Sequence, residues 1–345
     1  MTSSATLASG ETNMKAAYIE ATGAPEVIQY GDLPQPALKA NEVLVRVEAA
    51  AVNPIDTYIR AGLVAMPMPK PFIVGCDLAG TVRAVGPAVK QWKVGDRVWG
   101  SNQGLLGRQG TFAELAAVEE HWLYPLPKEV TAEAAAAVAL VGITAHLGLF
   151  QKANLQAGET VYVSGGTGGV GSMVVQMAKA VGAKVITTVG SKAKADLCRA
   201  WGADHVIQYK SEDVAAAIQM TTQQRGVDVW YETQREQNFM MMVPLMAKGG
   251  RMIVMAGRQA QPIFPVGPFY TRDLTLFGFA MFNATPEAQR QAAQDINQWL
   301  QAGKLKPMIG KRLPLSQAAE AHRLQEDNTL NKAGTLTGKI IVQIG

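Results

Sequence analysis

The sequence predicts an α/β protein in two parts, a β-rich region followed by a doubly wound parallel sheet. Three observations carry this. Residues 14–130 read as short strands broken by frequent Gly and Pro. From residue 131 onward strands alternate with helices, and a glycine-rich turn stands where an early strand of that series meets its helix. The length of 345 residues suits about two domains.

In the β-rich region, residues 42–47 (EVLVRV) place Val43, Val45 and Val47 on one face, the alternation of a half-buried strand. Residues 80–85 and 97–99 read the same way, and Val94-Gly95-Asp96 is the turn between them. Such a series makes a barrel-like domain.

Beyond it, residues 160–164 are a short apolar strand and 170–181 a helix. The next strand is 184–189, followed by a helix through Trp201 and a strand at 205–209. Two more strands are expected at 227–231 and 251–256, each preceded by helix, and 274–279 adds a last one. This alternation predicts a parallel sheet covered by helices on both faces, over residues 131–282. Residues 283–345 open with a helix through Gln301 and end in a strand at 339–344. They are expected to return to the first domain and complete it.

Composition narrows the function classes. Hydrophobic content of 48% with 17% charged residues is that of an ordinary globular protein. No apolar run reaches the roughly 18 residues of a membrane-spanning helix. The net charge of +4 is small and not gathered into a basic block, so nucleic-acid binding is not demanded. Residues 1–13 are small and polar, with Glu11 their one charge, and read as a loose tail without the features of a secretory or transit signal. Cytoplasm is the expected location. The only cysteines are Cys76 and Cys198, which excludes a disulfide framework and a Cys-rich metal cluster.

Gly166-Thr167-Gly168-Gly169-Val170-Gly171 matches GxGxxG, directly after the strand VYVS and at the start of a helix. In that setting the glycines let the backbone approach a pyrophosphate, whose charge sits at the helix N-terminus. An NAD site places Asp or Glu about 20 residues further on, for the ribose 2′-hydroxyl. Nothing acidic lies between Glu159 and Asp196 here. The second strand instead runs into Ser191, Lys192 and Lys194. A hydroxyl and two ammonium groups suit a 2′-phosphate, so NADPH is the expected cofactor.

These residues resemble a known family, the zinc-independent quinone oxidoreductase (zeta-crystallin-like) branch of the medium-chain dehydrogenases/reductases. The resemblance spans nearly all of residues 14–345. It rests on AAAVNPIDTYIRAG (49–62), GCDLAGTVRAVG (75–86), VGDRVWG (94–100), GGVGSMVVQMAK (168–179), GADHVIQY (202–209) and GKIIV (338–342). It implies a GroES-like catalytic domain from both chain ends, a Rossmann domain between them, and a homodimer. By similarity Lys194 and Tyr209 hold the 2′-phosphate with Ser191 nearby, Thr144 lies near the nicotinamide, and Gly257 joins the cofactor contacts. Asn53, Asp56 and Tyr58 are placed on the substrate side of the cleft. Zinc-dependent relatives carry Cys in place of Asn53 and His in place of Cys76, with a further Cys near Val141–Gly142. Cys76 and Asp77 cannot supply about four ligands, so no zinc is expected. His121, His146, His205 and His322 are scattered without ligand spacing. The chain departs from the family at Glu232-Thr233-Gln234-Arg235-Glu236, where a Gly-containing turn beside the cofactor is usual. Phe239-Met240-Met241-Met242 beyond it reads as helix core.

Without a metal to stabilise an alkoxide, the accessible reaction is hydride delivery to an already electron-poor acceptor, a quinone or an α,β-unsaturated carbonyl. The protein's share is orientation, water exclusion and a hydrogen bond to the acceptor oxygen. Tyr58 and Asn53 are the candidate donors, while Asp56, after Asn-Pro, suits a turn-fixing role. An enoyl or alkenal reductase, and an NADPH-binding module with little turnover, remain as alternatives.

Overall fold

The computed structural model describes residues 13–331 and 333–345. Most of the stretch read as a loose tail, residues 1–12, lies outside them; Asn13 opens the strand Asn13–Ile19. The chain divides into two units. The first holds the chain up to Pro125 with Arg312–Gly334 and Ile340–Gly345, and the second holds Leu126–Lys311 and Thr335–Lys339.

The first unit is built of antiparallel strands. Glu42–Ala51 is its central element, pairing with Leu78–Val85 and with Leu115–Glu119. The alternation of Val43, Val45 and Val47 is real: all three are buried. Arg97–Gly100 pairs with Leu78–Val85 after a turn in which Gly95 takes a φ of 93°. The C-terminal strand Lys339–Gln343 pairs antiparallel with Glu42–Ala51, Ile341 opposite Ala51. Asn13–Ile19, Gln29–Pro34 and Phe72–Ile73 form a separate small sheet.

The second unit carries a six-stranded sheet, parallel throughout. Its strands lie in the order His205–Gln208, Lys184–Val189, Thr160–Val163, Val227–Glu232, Met246–Val254, Thr275–Gly278. In chain order this is 3-2-1-4-5-6, the doubly wound arrangement that binds dinucleotides where the strand order reverses. That switch point falls between Thr160–Val163 and Val227–Glu232. Four consecutive buried residues in the first of these strands mark a strand covered on both faces.

Two expectations are corrected here. The domain boundaries expected at 130/131 and 282/283 fall instead after Pro125 and after Lys311. The helix Pro286–Gln301 stays with the second unit because it packs on the helix Ala132–His146. Ile296 lies against Gly142, and His146 Nε2 meets Asp295 at 2.8 Å. The second correction concerns apolar length. Ala132–His146 continues into a π-helical turn, Leu147–Lys152, giving one 21-residue helix long and apolar enough to cross a membrane. Of its apolar stretch, 78% is buried, and the helix packs on Gly169–Ala180 and Pro286–Gln301, so burial in a core accounts for the composition.

Candidate active site

In the first unit the expected substrate-side residues sit on the helix Pro54–Arg60. Asn53 caps it, and Asp56 reaches back to accept the Asn53 N–H at 2.8 Å, a capping box with Pro at the first turn. Asn53 Nδ2 donates to Asp77 Oδ2 at 2.7 Å, and the Ser101 hydroxyl donates to Asp77 Oδ1 at 2.6 Å. Asn53, Asp56, Asp77 and Ser101 are all buried. The amide of Asn53 is thus directed into the chain, at Asp77 and at the Ala51 carbonyl 3.5 Å away. Tyr58 stands half-buried on the same helix. Cys76 is fully buried, and burial together with the Asp56 carboxylate pushes its thiol well above the ordinary range.

In the second unit the chain leaves the strand Thr160–Val163 at Ser164 and enters the glycine loop. The loop is tied down by Gly165 N–H to Thr188 Oγ1, Gly166 N–H to the Thr188 carbonyl (both 3.1 Å), and Gly168 N–H to the Gly165 carbonyl at 2.9 Å. A side chain at Gly171 would begin 2.2 Å from the Gly165 carbonyl oxygen, so only glycine closes this turn. Gly168 caps the helix Gly169–Ala180. The N–H groups of its first turn lack helical partners and offer an anion site at the positive end of the helix dipole. Thr167 and Val170 complete the loop.

The second strand ends at Val189, and Gly190-Ser191 leads into the helix Lys192–Ala200. Ser191 is the N-cap: its hydroxyl accepts the Lys194 N–H at 3.4 Å. Lys192 is exposed and Lys194 half-buried on the first turn. Tyr209, 53% exposed, follows the third strand and brings its hydroxyl to 2.7 Å from where a side chain at Gly190 would begin. Tyr209 therefore closes on Gly190, the residue just before Ser191, from well along the sequence. Thr144, on the helix Ala132–His146, is buried and donates its hydroxyl to the Leu140 carbonyl at 2.8 Å. Gly257 follows the fifth strand with a φ of 85°.

The departure at Glu232–Glu236 takes a definite shape. Glu232 is the last residue of its strand and is buried. Its carboxylate accepts from the Ser164 hydroxyl, from the Gln234 N–H at 2.7 Å and from the Trp230 indole N–H at 3.1 Å. Burial raises its pKa, and these donors pull it back. Thr233 returns to Ser164 through its N–H and its hydroxyl, and Gln237 donates to the Ala256 carbonyl at 2.9 Å. The segment thus replaces the usual glycine turn with side-chain ties to both neighbouring strand ends. Beyond it Phe239 and Met242 are helix core, whereas Met240 is 55% exposed.

Sequence reasoning passed over Tyr231 and Ser164, which the structure puts at the switch point. The signal was a glycine, Gly148, inside an apolar helix four residues after Thr144, which marks a close approach. The four histidines do not gather. Among the described residues no group of three or more His, Cys, Asp or Glu is placed to hold a metal ion.

Comparison with known proteins agrees with this architecture. The alcohol dehydrogenase GroES-like domain family matches residues 39–128, and the zinc-binding dehydrogenase family residues 169–298. A human quinone oxidoreductase is 32% identical over 337 residues, spanning 97% of this chain and 99% of its own. A 2-methylene-furan-3-one reductase of Solanum lycopersicum is 32% identical over 315 residues, spanning 89% of this chain and 73% of its own. The crystal structure of Escherichia coli quinone oxidoreductase complexed with NADPH matches with a TM-score of 0.82 at 27% identity, over 95% of this chain and 99% of that one. With its doubly wound sheet, its glycine loop at the switch point and these matches along nearly its whole length, the chain belongs to the quinone oxidoreductase branch of the medium-chain dehydrogenase/reductase family.

Proposed function

We propose that this chain is an NADPH-dependent reductase that delivers hydride to a quinone or another electron-poor conjugated carbonyl without zinc. The observation that carries the reading is the glycine loop at the switch point, with hydroxyls and lysines rather than a carboxylate at the end of the second strand. The residues fit the cofactor. The cradle between Gly165 and Gly171 has no room for a side chain, and Tyr209 closes on Gly190, which Ser191 and two lysines follow in sequence.

NADPH supplies the hydride when bound. The N–H groups opening Gly169–Ala180 would hold its pyrophosphate, Lys194 and Tyr209 its 2′-phosphate, and Thr144 and Gly257 the nicotinamide half. Reducing a quinone to a hydroquinone takes one proton besides the hydride. Tyr58 would donate a hydrogen bond to the acceptor oxygen, spreading the arriving charge, while Asp56 and Asn53 hold its helix in place.

Operation without zinc is supported by the chemistry of the residues at the positions that carry ligands in zinc-dependent relatives. Asn53 offers a neutral amide committed to Asp77 where a zinc site needs a thiolate, imidazole or carboxylate. A homodimer in the cytoplasm completes the proposal, on family resemblance.

A second reading, reduction of an enone double bond, is favoured by the similarity to the furanone reductase. Loss of NADPH absorbance against a panel of quinones and a panel of enones decides between them. Turnover of quinones with higher kcat/KM supports the first reading and preference for enones the second. Tight NADPH binding without turnover on either panel would make the chain a binding module.

A further inference from the structure

The helix Ala132–His146 changes character just after Thr144. Leu147–Lys152 is a π-helical turn, with the Ala153 N–H bonded to the Gly148 carbonyl five residues back. A side chain from the sheet of the same unit packs against the start of this turn. The Tyr231 hydroxyl donates to the Thr144 carbonyl at 2.8 Å, a carbonyl that also accepts the Leu147 N–H where the α-helix ends. The phenol fits because residue 148 is glycine. A side chain there would begin 2.4 Å from Tyr231 Oη and 2.5 Å from Cε2.

Tyr231 is itself rigidly held. It is fully buried near the end of Val227–Glu232, paired with Val163 on one side and Ile253 on the other. Its carbonyl accepts the Ser164 N–H at 3.2 Å, immediately before the glycine loop. One residue therefore grips the start of the pyrophosphate loop through its backbone and the Thr144 turn through its side chain.

We infer that Tyr231 is a positioning residue for hydride transfer, fixing Thr144 against the nicotinamide while the glycine loop fixes the other half of the cofactor. The inference rests on the reading of Thr144 as a nicotinamide contact. Thr144 contributes a directed group: its hydroxyl proton is committed to the Leu140 carbonyl, so toward a ligand the oxygen is an acceptor. Misplacing such a contact affects the reacting geometry more than the affinity of the whole cofactor, most of which is bound elsewhere.

The test is a double-mutant cycle with Tyr231→Phe, which keeps the ring and removes the hydroxyl, and Thr144→Val. With saturating quinone, Tyr231→Phe should lower kcat by about tenfold and move the NADPH KM by less than about threefold. The kinetic isotope effect with NADPH deuterated at the transferred position should rise. The double variant should lose no more than Thr144→Val alone. A merely structural hydroxyl would lower the melting temperature and leave this split and the isotope effect unchanged. The inference is overturned if Thr144→Val lowers kcat and Tyr231→Phe does not, or if the two losses multiply. If Thr144→Val itself leaves kcat and KM unaltered, the nicotinamide reading of Thr144 fails, and the inference falls with it.

Discussion

Asn53 Nδ2 donates to Asp77 Oδ2 at 2.7 Å, between two side chains that are fully buried. In zinc-dependent relatives a metal ligand stands where Asn53 does, and in this chain the position serves as a helix cap and a partner for a carboxylate. Asn53→Ala should therefore act first on stability. Asp77 would keep Ser101 but lose its amide donor, at a cost of about 1–3 kcal/mol for a buried group left short of a partner. Urea unfolding measures it. An unchanged midpoint with a large fall in kcat/KM would show instead that the amide serves the substrate.

Lys194→Ala tests the cofactor preference. The 2′-phosphate carries roughly two negative charges, and a charge-assisted hydrogen bond to it contributes about 1.5–3 kcal/mol. NADPH binding should weaken by roughly ten- to a hundredfold, with NADH nearly unaffected because it lacks the phosphate. The loss should shrink as salt rises, since Lys194 is only half-buried. Fluorescence titration of both cofactors is the measurement. Equal weakening of the two would move the phosphate site elsewhere.

Gly171→Ala gives the complementary pattern. The new methyl would start 2.2 Å from the Gly165 carbonyl oxygen, a backbone atom that cannot swing aside. The loop must open, and both cofactors share the pyrophosphate it cradles. NADPH and NADH should lose affinity by similar factors, with overpacking costing about 1–3 kcal/mol of stability as well. The same titrations read it, and a loss confined to NADPH would contradict the assignment of this loop.

Legibility in the sequence followed physical locality. The strands of the second unit were readable because each is a short apolar run next to its own helix, and 184–189 matches the observed strand to the residue. The glycine loop was readable because its chemistry lies within six consecutive residues. The domain boundary near 283 was not, because the helix Pro286–Gln301 is ordinary in sequence and is assigned only by its packing on Ala132–His146. Tyr231 was hidden for the same reason: its hydroxyl reaches a carbonyl 87 residues away, and nothing in VDVWYE distinguishes it from any other core tyrosine. The commitment of Asn53 to Asp77, across 24 residues, is likewise a fact of the fold.

His322 supplies a pH-dependent test of the first unit. It lies on the helix Ala318–Thr329, fully buried, with Phe112 packed edge-on against its ring at 5.8 Å between centroids. Among the described residues neither ring nitrogen has a hydrogen-bond partner. Burial, and secondarily the positive charge of buried Arg60, lower its pKa from 6.5 to about 3. The folded-state pKa is depressed, so the neutral ring is favoured by folding. Its contribution to stability is fully present above pH 6.5 and is lost as pH falls toward 3, because the unfolded chain takes up the proton first. Between pH 7 and pH 5 this one group should cost the wild type about 2 kcal/mol of unfolding free energy. His322→Leu removes the titration while filling much of the space, and its stability should fall less over the same interval by about that amount. Urea unfolding of both proteins at the two pH values makes the comparison, and it cancels every other group that titrates. Parallel pH dependences would mean that His322 is protonated, or reached by water, in the folded protein.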